Sequence, residues 1–364
     1  MTTATITEHK SKVAPRQLGK FNYLAKGDRA IPNPNNFHLP ALSSLRDERL
    51  LPLNSLRPLP TVTQLRERKG MAHLETHGFT ALYHPATLHS SPYDVASWKD
   101  PELLLKYYAP ETQAMLKDIT GCKKVIPDAF LLRSNTFNEK TVSLATHAGH
   151  GEGSDTAENK AITELETGFP QFLGFDPVKG GAGPSLKVHM DYKPEGARSH
   201  IRNIHPSLAE ASRDIILAED EILASGGTLR DSYIDSTGPR WACYSVWRPL
   251  KTVRRNPLVM GDQRSIQQED YESVSVKTPC LGRPGIIETH DAPGYVARYS
   301  EGHTWYWVDA QKPEEVLVIG LFDSHAEKYG GKASGGTLHC STELPGTEEE
   351  EARQSLELRC LCIW

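Results

Sequence analysis

The sequence predicts an α+β fold: helices toward the N-terminal side, followed by an antiparallel β region organised as a sandwich or barrel. Three observations predict it. Helical spacing of apolar residues runs through ASWKDPELLLKYYAPETQAMLKDITG. The C-terminal half is a series of short apolar segments, WACYSVWRPL, NPLVMG, ESVSVKTP, GIIETHD, HTWYWVDA, EVLVIGLFDS and SLELRCLCIW, separated by Pro, Gly, Asp and Asn. A hydrophobic fraction of 38% with 8% aromatic residues is enough to fill a core.

Residues 1–60 are rich in Pro, Asn and charge, and IPNPNNFHLP and RPLP interrupt any long element, so a loosely structured N-terminal arm is expected. From 61 to about 120, TVTQLRERKGMAHLETHG and the stretch quoted above predict two or more helices. Residues 137–160 are polar, Gly-rich and aperiodic, which predicts a long loop. IHPSLAEASRDIILAEDEILASGG reads as one helix closed by two glycines. TEEEEAR is a solvated loop before the last strand. Residues 61–364 are expected to form a single domain whose β core lies mainly in 180–364.

A net charge of -5 and a pI near 6.3 leave no basic surplus for nucleic acid or an anionic membrane. The polar start, and the absence of an apolar run of about 18 residues, lead us to expect a cytoplasmic protein. The six cysteines form no C-x-x-C pair and are expected to be free thiols in the core.

In KVHMDYKP, His189 and Asp191 stand two apart, so in an extended chain an imidazole and a carboxylate point to the same side. A distant histidine would complete two nitrogens and one oxygen on one face of an ion, leaving sites for a co-substrate and O₂, an arrangement suited to Fe(II). H-x-D is a weak signal in a chain with 15 histidines. A rival set, His147, His150 and Glu152 of HAGHGEG, lies in the Gly-rich loop, where surface histidines are the plainer reading.

The distal histidine is assigned to His339, at the start of a strand-like run near the C-terminus. His303 of HTWYW is the alternative. Arg353 and Ser355 open the final strand as R-x-S, where a guanidinium and a hydroxyl can grip the far carboxylate of 2-oxoglutarate while its 2-oxo acid end chelates the metal. Arg359 projects to the same side and is the reserve candidate. The plainer reading makes both arginines surface groups paired with Glu351 or Glu357.

YSVWRPLKTVRRNPL, HTWYWVDAQKPEEVLVIGLFDS, GGTLHCSTELPGTEEEEARQSLELRCLCIW and SSPYDVASWKDPELLLKYYAPE resemble the fungal GA4-desaturase-like hydroxylase/desaturase family, which also takes in the cephem methoxylase component. The likeness runs from about residue 60 to the end and is most specific toward the C-terminus. It implies a double-stranded β-helix (jelly-roll, cupin-like) core with flanking N-terminal helices, Fe(II), 2-oxoglutarate, and a small secondary metabolite that is hydroxylated or desaturated with release of succinate and CO₂. The family's H-x-D falls on His189 and Asp191, its distal histidine on His339 and its R-x-S on Arg353 and Ser355. Trp247, Arg248 and Pro249 match its W-R-P element, in which Arg248 is open to two roles, support of the site or a cation facing the substrate. Tyr192 and Lys193, and the loop before His189, depart from the family pattern, so the family's individual substrates are not carried over. Two other classes use the same residues: a jelly-roll binding protein without chemistry, and a zinc hydrolase with a metal-bound water.

Overall fold

The computed structural model describes residues 16–33, 39–67, 73–138, 168–175, 180–235, 238–283, 288–329 and 335–364. Sixteen strands are named below: β1 (Leu18–Tyr23), β2 (Asp47–Ser55), β3 (Phe79–Tyr83), β4 (Lys124–Arg133), β5 (Gln171–Leu173), β6 (His189–Met190), β7 (Trp241–Pro249), β8 (Leu258–Gly261), β9 (Tyr271–Val274), β10 (Lys277–Pro279), β11 (Thr289–Asp291), β12 (Gly294–Ala297), β13 (Trp305–Trp307), β14 (Glu315–Asp323), β15 (His339–Ser341) and β16 (Ser355–Ile363).

An eight-stranded sheet has the order β1-β2-β13-β8-β15-β6-β12-β9, and a six-stranded sheet the order β3-β14-β7-β16-β4-β5. Their facing surfaces share one core, with Leu258 and Met260 of β8 packed among Trp241, Trp247, Leu317 and Ile319 of β7 and β14. This is the double-stranded β-helix.

Period-two alternation sorts the side chains. On β16, Leu356, Leu358, Cys360 and Cys362 face the helical side, where they meet Tyr108, Met115 and Leu116. Glu357 and Arg359 face inward and line the cavity between the sheets. β16 is buried on both faces because helix Ala109–Thr120 and its neighbours cover the outer one. That helix carries Pro110 in its first turn and ends at Gly121 in the left-handed region, φ 74°. All six cysteines are free and buried, as expected of small core residues.

The N-terminal arm needs correction. Of the residues 1–60 expected to be loose, 18–23 and 47–55 form β1 and β2, paired antiparallel, and β2 continues in parallel onto β13. Phe21, Tyr23 and Leu53 bury against Trp305. Pro32 and Pro40 fall between the two strands, and Pro52 is accommodated within β2 itself.

The single helix read in residues 204–227 is two, Pro206–Ala211 and Arg213–Ala224. Ser212 at the junction turns its hydroxyl back onto Leu208 O at 2.7 Å, and that competing bond accompanies the break. The helical reading of 61–77 is borne out in two short pieces, Val62–Arg66 and Leu74–His77. Most of the predicted 137–160 loop lies outside the described residues, as do His147, His150 and Glu152. Among the described residues no helix is long and apolar enough to cross a membrane.

Candidate functional site

Lys187, His189 and Asp191 alternate along an extended stretch and all three line the cavity between the sheets, which encloses about 160 Å³. Val188 and Met190 point the opposite way, into the cluster around Phe21 and Trp305. β15 runs antiparallel to β6 with His339 directly across from His189. The two rings lie 4.4 Å apart between centroids. Asp191 Oδ1 is 3.3 Å from His189 Nε2 and 3.9 Å from His339 Nε2. One ligand atom from each of the three residues lies within 4.8 Å of the others. β12 backs the main chain of Asp191 closely: a Cβ on Gly294 would stand 2.6 Å from the Asp191 carbonyl oxygen, so only glycine fits there.

The tautomers follow from the backbone. His189 Nδ1 lies 2.7 Å from Lys187 O, and His339 Nδ1 lies 3.1 Å from Thr337 O. A carbonyl oxygen only accepts, so both Nδ1 atoms donate and both Nε2 atoms present a lone pair to Asp191. A lone pair and a carboxylate oxygen at such distances repel unless a cation lies between them. Between His339 and Asp191 a proton is a poor filler near neutral pH, because burial and the neighbouring His189 lower the His339 pKa to about 4. Two imidazole nitrogens and one carboxylate oxygen on one side fit iron(II) and leave further coordination positions open.

Arg359 Nη2 donates to Asp191 Oδ2 at 2.8 Å, and Arg359 Nε to Glu357 Oε1 at 2.8 Å. Burial works to raise the Asp191 pKa, but the Arg359 guanidinium and the two imidazoles prevail and hold it well below the usual carboxylate range. Arg359, the reserve for the co-substrate, is therefore engaged by the Asp191 carboxylate.

Arg353 is buried at 7% exposure, with Nη1 donating to Asn256 O and to Ser341 Oγ, the latter at 2.8 Å. Its guanidinium carbon lies 5.1 Å from the centroid of the Trp247 ring. Arg353 Nε and Ser355 Oγ are both buried without a hydrogen-bond partner. Leaving such groups unsatisfied costs about 1–3 kcal/mol each. Burial, reinforced by the Arg133 charge, brings the Arg353 pKa down to about 9. Of the plainer pairings considered, Arg359–Glu357 is present, but in the lining of the cavity and not on the surface, whereas Glu351 pairs with Lys251 and Arg353 is buried away from both.

Arg248 is the residue that requires correction. It is fully buried on the outer face of β7, outside the cavity, and donates to Pro313 O at 2.7 Å and His84 O at 2.8 Å. Trp98 and Tyr108 flank its guanidinium at 5.6 and 5.3 Å. Because Trp247 faces the cavity, alternation turns Arg248 the other way, away from its lining. His303 is likewise elsewhere, between Tyr23 OH at 3.2 Å and Asp270 Oδ2 at 3.1 Å.

Three lining residues escaped the reading of the sequence: Arg133, Lys187 and the inward orientation of Glu357. Lys187 was open to detection, since it continues the His189–Asp191 alternation by one step. Arg133 carried no local signal; sheet order places its Cα opposite Ser355.

A family profile described as "Oxidoreductase/YMDC permease-like domain" matches residues 57–216 and 228–363. The chain is 35% identical to "Oxidoreductase chry3" of Gibberella zeae, with 100% of both chains covered. It is 35% identical to the "Gibberellin cluster GA4 desaturase" of Gibberella fujikuroi, over 83% of this chain and 86% of the relative. It is 25% identical to the "Alpha-ketoglutarate-dependent dioxygenase tstK" of Talaromyces stipitatus, over 84% of each. Among solved structures, the iron and alpha-ketoglutarate-dependent endoperoxidase NvfI superposes with a TM-score of 0.57 at 18% identity, covering 95% of this chain and 97% of that one, which speaks to the fold alone. The histidine–aspartate–histidine cluster in a double-stranded β-helix and these relatives agree: the chain belongs to the GA4-desaturase-like hydroxylase/desaturase family of Fe(II)- and 2-oxoglutarate-dependent oxygenases.

Proposed function

We propose that His189, Asp191 and His339 hold the Fe(II) of this oxygenase, that Arg353 and Ser355 hold 2-oxoglutarate, and that a small secondary metabolite is hydroxylated or desaturated beside them. The observation that carries the reading is the pair of imidazoles whose Nδ1 atoms are tied to carbonyls, so that both Nε2 lone pairs converge on Asp191 Oδ1.

Bound iron supplies activation of O₂, coupled to conversion of 2-oxoglutarate to succinate and CO₂. The chain's own residues do the positioning. Arg359 takes one oxygen of Asp191 and leaves the other toward the imidazoles. Arg353, fixed by Asn256 and Ser341 over Trp247, offers its remaining donors to a carboxylate. Apolar walls including Leu131, Leu173, Leu258 and Leu281 exclude water from the reacting centre.

A zinc hydrolase leaves Arg353 Nε and Ser355 Oγ without a task, and a binding protein without chemistry leaves the converging lone pairs without one. The acidic balance of -5 supports a small-molecule partner over nucleic acid, and the reading takes the enzyme to act in the cytoplasm.

The test is His339→Ala. Metal analysis after anaerobic loading should show iron retention reduced to background, and Fe(II)-dependent release of succinate from 2-oxoglutarate should vanish. Full activity in this variant would overturn the assignment.

A further inference from the structure

Asp128 sits on an irregularity of β4. The pairing with β16 runs from Arg359 opposite Ala129 to Cys360 opposite Pro127, so Asp128 is passed over as the extra residue of a β-bulge. Pro127, which has no N–H to give the ladder, stands beside it. In an unbroken strand the neighbours Asp128 and Ala129 would point to opposite faces, yet both line the cavity between the sheets. The bulge turns a carboxylate toward a lining otherwise rich in leucine.

That carboxylate is held by one oxygen. His200, on the helix Pro194–Asn203, stands with Nε2 2.7 Å from Asp128 Oδ2. Asp128 is 5% exposed, and among the described residues its Oδ1 has no hydrogen-bond partner. A buried acceptor in that condition is costly unless a donor arrives with a ligand. The co-substrate cannot bring one, because the two carboxylates and the ketone of 2-oxoglutarate are acceptors, as Asp128 is. Ser245 Oγ is likewise unpartnered in the lining, but a hydroxyl both donates and accepts and so selects no ligand group. Arg359 shares a small recess with Asp128 and His200, and its charge disfavours an ammonium there. A hydroxyl meets both conditions.

We propose that the substrate is a largely apolar molecule bearing a hydroxyl group, and that Asp128 Oδ1 accepts the hydrogen bond of that hydroxyl. The inference rests on the oxygenase reading and deepens it by naming a substrate class. Apolar contact along Leu131, Leu173 and Leu281 supplies affinity, while the bond to Asp128 fixes which end of the molecule lies against β4. Asp128 adjoins Ala129, whose Cα pairs with that of Arg359, the residue that holds Asp191. The hydroxyl is thus anchored beside the proposed metal ligands. His200 is a positioning residue: it takes Oδ2 and leaves Oδ1 for the ligand.

The test uses the full chain loaded with Mn(II) and 2-oxoglutarate, which permits binding without turnover. 2-Adamantanol and cyclohexanol are titrated calorimetrically beside 2-adamantanone and cyclohexanone, which keep the oxygen but cannot donate. In the wild type at least one alcohol should bind about tenfold or more tightly than its ketone, the size expected of a hydrogen bond to a carboxylate. Asp128→Leu should erase that preference, and Asp128→Asn, which keeps a neutral oxygen, should retain only part of it. 2-Oxoglutarate affinity should stay within about twofold in all three proteins, which also reports correct folding. Alcohols that bind no better than ketones, or fail to bind at all, overturn the proposal, as does a full preference surviving in Asp128→Leu. Tighter binding of 2-aminoadamantane than of 2-adamantanol overturns the hydroxyl assignment. Weakened 2-oxoglutarate binding in Asp128→Leu overturns it too, since Asp128 then supports the co-substrate. Failure of wild-type chain with Mn(II) to bind 2-oxoglutarate overturns the underlying reading itself, and the proposal with it.

Discussion

Asp191 is held from two sides: Arg359 Nη2 takes its Oδ2 at 2.8 Å, and His189 Nε2 stands 3.3 Å from its Oδ1. The two contacts divide the carboxylate's labour. One oxygen is neutralised by a fixed guanidinium, and the other is left for the imidazole side. The backbone bonds to both Nδ1 atoms complete this orientation before any ion arrives.

Removing that guanidinium tests the division. Arg359→Gln takes the charged partner from Asp191 and leaves Glu357, 8% exposed, without its counter-ion. Affinity for Mn(II) or Fe(II) is expected to fall about 10–100-fold, as it does when outer-shell partners of metal ligands are lost. Folding stability is expected to drop by about 3 kcal/mol or more, the cost of a buried charge left alone. Calorimetric metal titration and urea unfolding measure the two; unchanged metal affinity contradicts the positioning role.

The co-substrate pair predicts an effect on a different constant. Arg353→Leu should raise the KM for 2-oxoglutarate about 10–100-fold, and Ser355→Ala by a smaller factor, from the loss of about 1.5–3 and about 1 kcal/mol respectively. Lys at 353 should restore little, because a point charge cannot reproduce the planar fork. Succinate formation against 2-oxoglutarate concentration reads this directly. A normal KM in Arg353→Leu removes Arg353 from the site.

Arg248 predicts the reverse pattern. Arg248→Met leaves His84 O and Pro313 O without their donor, so stability should fall by about 2–4 kcal/mol while the KM for 2-oxoglutarate stays where it was. Chemical denaturation and the same succinate assay separate the outcomes. A raised KM at unchanged stability restores Arg248 to the functional set.

Acid should destabilise the metal-free protein before it reaches the carboxylate range. Burial lowers His84 to about 4, aided by the Arg248 charge, and burial likewise lowers His89 and His290 to about 4. These imidazoles take up protons in the unfolded chain near pH 6.5, while the folded chain resists until about pH 4. The unfolded state therefore binds more protons across that window, and stability declines as pH falls through it. Denaturant midpoints measured from pH 7 to about 4 check the sign, and a flat profile contradicts it.

Much of the candidate site is legible in the sequence, for identifiable reasons. His189 and Asp191 are readable because a two-residue spacing on an extended chain guarantees a common face. Arg353 and Ser355 are readable by the same rule applied to the last strand. Arg248 defeated the reading: it neighbours a cavity residue, Trp247, and the pleat sends adjacent side chains to opposite faces. The arm over residues 1–60 was misjudged because proline content hides strands that are short and separated, and the partner that stabilises them, Trp305, lies far along the chain.

The sequence by itself determined the chemistry available: two imidazoles, a carboxylate and an R-x-S pair, each set up by alternation over a few residues. Tertiary structure alone decided which distant groups share the cavity. Placing His339 opposite His189, Arg133 opposite Ser355 and Arg359 against Asp191 depends on strand order and register. Register follows from burying whole faces of two sheets at once, a sum over many residues that no short stretch of chain contains.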